Sequence, residues 1–268
     1  MKKTIFITGS TDGIGKLAAQ RLASEGHEVF VHGRNPNKVK ATVAEIQASA
    51  SSTEVRGYVA DLSDLRAVAA LGQQLAKELP RLDVLINNAG VFKSPNATNA
   101  EGLELRMVVN YLAPYLLTQA LHPQLQQGEQ PRIINLSSAA QAPVSMAALQ
   151  GKAIPGVQEA YAQSKLAITE WSFYLAKQWK DISVIAVNPG SLLNTRMVRE
   201  GYGTFWSPAE KGSDLLYELA VGAEYSGITG KYYDNDQGGF GKAHRDAYDS
   251  RKIAELIQTT EGLLAALV

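Results

Sequence analysis

From its first residues the chain alternates short apolar runs with longer stretches at helical spacing. That alternation constrains the fold more than any single motif. Thr4–Thr8 reads as a buried strand, and Ile14–Ser24 as the helix after it, with Leu17, Ala18, Arg21 and Leu22 in turn. His27–His32 is a second strand, carrying Val29, Phe30 and Val31. Pro36–Ala50 is a helix with Asn35 as N-cap and Pro36 in its first turn. Val55–Ala60, Leu82–Asn87, Arg132–Ser137 and Ser183–Asn188 continue the strand series, and Gly230–Tyr233 closes it. Between them lie helices over Ser63–Glu78 (capped by Ser63), Leu103–Gln126 (bent at Pro114) and Pro155–Trp179. Such alternation predicts a parallel sheet covered on both faces. With right-handed crossovers the simplest solution is an α/β, Rossmann-type fold: one doubly wound sheet of about seven strands.

No linker or composition break divides the 268 residues, so one dinucleotide-binding catalytic domain over 1–268 is expected. Ala48–Thr53 reads as a polar turn, and 191–225 as irregular structure plus a helix at Ala209–Val221. Asp249–Leu267, with Ile253, Leu256, Ile257, Leu263, Leu264 and Leu267, reads as a docking helix within a C-terminal extension over 241–268.

Charge excludes several function classes. With 26 basic and 26 acidic side chains, nothing draws the chain to nucleic acid or anionic lipid. Zero cysteines exclude disulfides, thiol nucleophiles and Cys-ligated zinc. His27, His32, His122 and His244 have no partner at metal-ligand spacing, so no metal is expected. No run approaches the ~18 apolar residues of a membrane span, and the opening apolar run stops short of a signal peptide. The expectation is a soluble, cytoplasmic protein, in which the Asn96-Ala97-Thr98 sequon goes unused.

The first strand runs into Thr8-Gly9-Ser10-Thr11-Asp12-Gly13-Ile14-Gly15 and then a helix. Glycines let backbone N–H groups approach a pyrophosphate, and the helix N-terminus adds positive partial charge. The spacing is Gly-x-x-x-Gly-x-Gly, not Gly-x-Gly-x-x-Gly. A triphosphate P-loop is excluded, because Ser10 stands at its first glycine and Leu17 at its final hydroxyl residue. Dinucleotide sites read the ribose about 20 positions on, with a carboxylate for a 2′-hydroxyl or arginine for a 2′-phosphate. Here the strand ends His32-Gly33-Arg34-Asn35, so Arg34 favours NADP(H) over NAD(H), while Asp12 in the loop counts against a phosphate.

Together, Thr8–Gly15, Asn87-Asn88-Ala89-Gly90, Ser138, Tyr161-x-x-x-Lys165 and Asn188-Pro189-Gly190 resemble, in order, the motifs of the short-chain dehydrogenases/reductases. The resemblance covers roughly residues 3–235. The residues themselves agree with it. Tyr161 and Lys165 share one helix face, and an ammonium beside a phenol that normally titrates near ~10 lowers that value. The resemblance implies Tyr161 as general acid/base, Lys165 lowering its pKa and holding the nicotinamide ribose, and Ser138 orienting the substrate oxygen. It implies that Asn110 supports a water-linked proton relay to Lys165. It also implies cofactor contacts from Gly9, Ser10, Gly13, Ile14 and Gly15, with Asp61 and Leu62 at the adenine. Asn88, Ala89 and Gly90 would line the adenosine ribose, and Pro189 and Gly190 the nicotinamide pocket. Thr195 would contact the carboxamide or phosphates, one residue further along than the usual spacing.

Ser138 and Tyr161 lie 23 positions apart, a longer gap than in many members and similar to the retinol-dehydrogenase and protochlorophyllide-reductase branches. Gly230-Lys231-Tyr232-Tyr233 resembles those branches as well. The added segment, Gln141–Gly156, brings Val144, Met146, Leu149 and Ile154 as an apolar wall for the site or as a plain loop elaboration. Residues 191–212 would form a substrate lid, with Gly201 and Gly203 as hinges and Phe205 and Trp206 as cover. In the family, helices like 103–126 and 155–179 form subunit interfaces, so a homo-oligomer is expected. The expected activity is NADP(H)-dependent interconversion of a small-molecule carbonyl and alcohol. Carbon–carbon double-bond reduction and cofactor binding without turnover, on the same fold, are the alternatives.

Overall fold

The computed structural model describes residues 1–50 and 54–268. The strands are β1 (Thr4–Ile7), β2 (Glu28–Gly33), β3 (Val55–Val59), β4 (Val84–Asn87), β5 (Arg132–Leu136), β6 (Ser183–Asn188), β7 (Lys231–Asp234) and β8 (Gly239–Gly241). They form one sheet in the order β3-β2-β1-β4-β5-β6-β7-β8. Each neighbouring pair up to β7 is parallel, and β7 and β8 pair antiparallel. The sheet therefore has eight strands rather than about seven. Gly239–Gly241 was missed because two of its three residues are glycine, which carries no alternation.

The helices are α1 (Gly13–Ser24), α2 (Pro36–Ser49), α3 (Leu65–Glu78), α4 (Leu105–Met107), α5 (Ala113–Ala120), α6 (His122–Gln126), α7 (Met146–Leu149), α8 (Val157–Gln178), α9 (Arg196–Tyr202), α10 (Glu210–Val221) and α11 (Ser250–Leu267). Asn35 caps α2 as expected, its Oδ1 accepting from Lys38 N–H. Of the turn expected at Ala48–Thr53, residues 51–53 lie outside the described residues. Asp64, not Ser63, caps α3, because Ser63 donates through both its N–H and its hydroxyl to Asp61 Oδ1. The region 191–225 holds a helix beyond the one expected there, α9.

The long helix expected over Leu103–Gln126 is broken, with a π-helical turn at Val108–Leu112. Pro114 lacks the N–H that would bond the carbonyl of Asn110, four residues back, so the regular ladder cannot run through this segment. Sequence showed the proline; the widened turn places the irregularity at Asn110 itself.

Neighbouring strand residues feed two cores on opposite faces. Phe6, Leu85, Ile133 and Val184 pack with α3, α5, α8 and α11. Ile5, Ile7, Ile86, Ile134 and Ile185 pack with α1, α2 and α10. Each fully buried aliphatic side chain contributes about 2 kcal/mol. Trp171 on α8 is fully buried, and α8 is covered on more than one side, as its composition predicts. Beside α8, the chain's own α11 is bonded to the 108–120 segment: Tyr111 Oη bonds Thr260 Oγ1, and Tyr115 Oη donates to Glu261. Among the described residues no helix is long and apolar enough to cross a membrane.

Candidate active site

The parallel strands end on one edge, and the loops leaving them build the site. Gly9 has φ +63°, and a Cβ there would lie 2.7 Å from the Ala89 Cα. Only glycine lets the β1 and β4 loops come this close. Asn88 fixes the approach by donating through Nδ2 to the carbonyls of Thr8 (2.8 Å) and Gly9 (2.9 Å). The same Nδ2 would collide with a side chain at Gly15. Ala89 N–H donates to Thr8 Oγ1. Gly13 and Ile14 open α1, whose cap is Asp12 through Gly13 N–H. Asp12 thus serves the helix terminus.

Ser10 is buried, and its hydroxyl donates to the Ile7 carbonyl while accepting from His32 N–H. It stitches β1 to β2, so its side chain is spent within the protein. His32, which has no partner at metal-ligand spacing in the sequence, joins the glycine loop to the β3 end instead. Its Nδ1 accepts from Gly9 N–H at 3.2 Å, and its Nε2 lies 3.2 Å from the Ala60 carbonyl. The ring is neutral, donating from Nε2, since burial pulls its pKa down to about 4. Its position at the loop-facing end of β2 was the available signal.

Arg34 is exposed at the end of β2 and makes no hydrogen bond or ion pair among the described residues. Asp61 is occupied by Ser63, and Leu62 is buried in the core. Thr195 caps α9 through Val198 N–H, and its methyl would lie 3.6 Å from a Cβ on Gly13. The threonine at unusual spacing therefore does reach the glycine loop. Pro189 and Gly190 follow β6, the Pro189 carbonyl accepting from Asn235 Nδ2 at 2.8 Å.

The catalytic candidates converge around Gly90. A Cβ on that glycine would stand 3.4 Å from Asn110 Oδ1, 3.6 Å from Lys165 Nζ and 3.6 Å from Met197 Cε. Asn110 donates to the Val91 carbonyl and Ser164 Oγ and accepts from Val91 N–H, so its amide is fully engaged. Lys165 Nζ donates to the Leu136 carbonyl at 2.7 Å and lies 5.5 Å from the Tyr161 ring centroid. The Ser138 hydroxyl, which accepts from Ala140 N–H, is close enough to the Tyr161 phenol to pull its pKa down.

The acidified phenol expected from the sequence is not what this arrangement gives. Burial pushes Tyr161 up to about 12, beyond what Ser138 offsets. Burial also pulls the Lys165 ammonium down to about 8. The ammonium faces the Leu136 carbonyl rather than the phenol oxygen, so desolvation outweighs the charge.

Phe92 was not singled out from sequence. Its ring meets Tyr161 edge-on at 5.1 Å and stacks on Tyr202 of α9 at 5.2 Å. The segment 191–212, expected as a lid, therefore touches the site through Tyr202 and Met197. Phe205 and Trp206 are 46 % and 75 % exposed, and so are not the cover expected. The bridge between Leu193 and Ser207 and the bond from Trp206 N–H to the Leu192 carbonyl fix the returning strand of the lid, leaving both rings outward. The Gln141–Gly156 segment is a buttress more than a wall. Leu149 is fully buried in the core and Ile154 is exposed. Ala142 N–H bonds the Ala162 carbonyl and Ser145 N–H bonds Gln163 Oε1, tying the segment to the start of α8.

This constellation can be set against known proteins. The family model described as short chain dehydrogenase matches residues 3–202. The chain belongs to the short-chain dehydrogenase family. Bovine (Bos taurus) retinol dehydrogenase 12 is 31% identical over 246 residues, covering 87% of this chain and 78% of that protein. Human (Homo sapiens) polyprenol dehydrogenase is 31% identical over 256 residues, covering 88% and 77%. Among solved structures, a short-chain dehydrogenase from Escherichia coli CFT073 complexed with NADPH superposes with a TM-score of 0.71 at 27% identity, covering 87% of this chain and 96% of that one. As a member of this family the chain is an oxidoreductase, and it is close to the retinol-dehydrogenase-like proteins.

Proposed function

We propose that this enzyme interconverts a carbonyl and an alcohol with NADP(H), Tyr161 exchanging the proton with the substrate oxygen. The observation that carries this reading is the meeting of the Ser138 hydroxyl and the Tyr161 phenol, with Lys165 Nζ over the same ring. The residues present fit a dinucleotide. The Gly9 cradle is a close approach that a Cβ would fill, α1 offers its N-terminus behind it, and Arg34 stands free to meet a 2′-phosphate. The relative complexed with NADPH has the same fold. Gly9, Gly13, Ile14 and Gly15 would hold the pyrophosphate through backbone, Asn88, Ala89 and Gly90 the ribose, and Pro189, Gly190 and Thr195 the nicotinamide end. Bound there, reduced nicotinamide supplies the hydride that reduces the carbonyl carbon.

The chain's own groups handle the oxygen. A phenol held near 12 is protonated at neutral pH, so it is present as the acid that reduction requires. Ser138 orients the substrate oxygen against it. As the phenol gives up its proton, a Lys165 ammonium turned from the Leu136 carbonyl toward the phenol oxygen would stabilise the phenolate. Lys165, near 8, is itself poised to pass a proton on at neutral pH. Phe92 and Tyr202 exclude water from the Tyr161 ring. The test is turnover of aldehydes, ketones, enones and alcohols with each cofactor, alongside Tyr161→Phe. Loss of the proton donor is expected to cut kcat by about 1000-fold while NADPH still binds. Retained turnover in Tyr161→Phe defeats this reading, and reduction confined to enones replaces it with double-bond reduction.

A further inference from the structure

The similarity to the family model ends at residue 202, yet the loops that carry the catalytic groups are held from beyond that point. The Ser138 carbonyl accepts two hydrogen bonds, from Tyr232 Oη at 3.0 Å and from Gln141 Nε2 at 2.9 Å. Gln141 Oε1 in turn accepts from His244 N–H at 3.0 Å. On the other side of the site, Asp236 takes three donors: Ser191 N–H at 2.9 Å, Ser191 Oγ at 2.6 Å and Asn188 Nδ2 at 2.9 Å. Its neighbour Asn235 donates to the carbonyls of Pro189 and Lys211.

We propose that the β7–β8 hairpin is the positioning frame of the active site, Tyr232 setting the Ser138 loop and Asp236 setting the root of the lid. The assignment of Ser138 rests on the function proposed above. The hairpin's own geometry does not.

Three features argue for positioning beyond general cohesion. Ser137 N–H makes the last bond from β5 to β6, at the Val187 carbonyl, so the Ser138 carbonyl beyond it takes its orientation from side chains. Both acceptor positions of its carbonyl are filled, which fixes the peptide plane and hence the direction of the hydroxyl. Tyr232 is 3 % exposed, and burial together with the nearby Asp234 carboxylate pushes its pKa up, keeping it a donor. At the lid root, Gly190 has φ +121° and Leu192, with a side chain, has φ +46°. A backbone in these conformations is costly unless surrounding bonds hold it, and Asp236 bonds the residue between the two. The Asp236 carboxylate is itself partly open to solvent, so its grip is the weaker of the two.

The two contacts predict separable effects. Tyr232→Phe removes one hydroxyl. It is expected to lower kcat about tenfold, leaving Tm unchanged and the KM for cofactor and the NADPH Kd within about twofold of wild type. Asp236→Asn turns one acceptor into a donor facing Asn188 Nδ2 or Ser191. It is expected to weaken NADPH binding about fivefold by fluorescence titration, with a smaller change in kcat. It is also expected to speed amide hydrogen exchange across residues 188–195 in protein without added cofactor, and Ser191→Ala gives a milder version should Asp236→Asn fold poorly. Wild-type kcat in Tyr232→Phe overturns the first arm. Unchanged exchange over 188–195 in both Asp236→Asn and Ser191→Ala overturns the second. Tyr161→Phe run in parallel separates the two levels: if it keeps full activity, the reading of the catalytic groups fails, while the exchange data still decide what the hairpin does.

Discussion

The two ends of the site are built by opposite means. The glycine loop is shaped by what is missing: at Gly9 and Gly15 the absence of a Cβ lets the β1 and β4 loops interlock. The loops bearing Ser138 and Ser191 are shaped by what is added: Tyr232 and Asp236 reach in from far along the chain, and Gln141 closes on Ser138 from three residues away. The first kind of construction tolerates no enlargement and is rigid by sterics. The second can lose one bond and keep its fold, so its failures are graded and show first in kinetics. The contrast extends to buried titratable groups. The cofactor end holds a base kept neutral, His32, and the catalytic helix holds an acid kept neutral, Glu170, which burial and the nearby Asp246 push up to about 8.

The sharpest break of the contrast is Gly9→Ala. The substitution asks an L-residue to hold φ +63° and to place its Cβ 2.7 Å from a backbone atom that cannot swing away. The β1 and β4 loops must part. NADPH binding is expected to weaken by on the order of 100-fold in a fluorescence titration, with kcat extrapolated to saturating cofactor much less affected. The matching loss of one bond at the other end, Ser191→Ala, is expected to be far milder. Equal losses from the two would erase the distinction between steric and bonded construction.

What was legible in the sequence divides along the same line. Alternating periodicity gave the order of strands and helices, and absent side chains announce themselves as glycine spacing, so the parallel sheet and the Thr8–Gly15 loop could be read directly. Tyr161, Lys165 and Asn110 were readable through their order along the chain, and the structure brings Asn110 and Lys165 to Gly90, with the Tyr161 ring beside Lys165. The direction of the Tyr161 pKa was not readable, because helical spacing says which groups are near but not that the ammonium faces the Leu136 carbonyl. Nor were Phe92, Tyr232 and Asp236. Their partners lie on other elements, and a tyrosine in a strand carries no mark that its hydroxyl will meet a carbonyl 94 positions away. Phe205 and Trp206 show the converse: apolar character suggested cover, and the strand bridge turned them outward.

The neutral base and the neutral acid make a second test. His32 has its folded pKa lowered from 6.5 to about 4, so the unfolded chain binds more protons between those values, and stability is lost as pH falls through that window. Glu170 has its folded value raised from 4.5 to about 8, so its contribution runs the other way, with stability lost as pH rises from 4.5 to 8. The groups facing Glu170 are Asp246, Asp249 and Lys252. Between pH 4.5 and 6.5 the two trends oppose each other. Urea unfolding of His32→Gln is expected to show stability rising on acidification from pH 7 to 4.5, and Glu170→Gln the reverse, each by on the order of 2 kcal/mol. Identical slopes in both variants would mean that neither group is held neutral by its site.

Arg34 offers the smallest effect and the finest discrimination. Its guanidinium stands at the end of β2, exposed and free of partners among the described residues, so removing it disturbs no internal bond. Any change in cofactor affinity in Arg34→Ala therefore reports on the ligand rather than on the fold. A guanidinium meeting a 2′-phosphate at an exposed site contributes about 1 kcal/mol, which corresponds to about a fivefold rise in KM for NADPH and almost none for NADH. Asp12, near the same loop, is committed to the α1 terminus through Gly13 N–H, which lessens its opposition to a phosphate there. If Arg34→Ala instead weakens both cofactors equally, the arginine acts on the adenosine that NADPH and NADH share. Selection for the phosphate would then have to come from another residue, since no carboxylate stands at the end of β2 to select the 2′-hydroxyl.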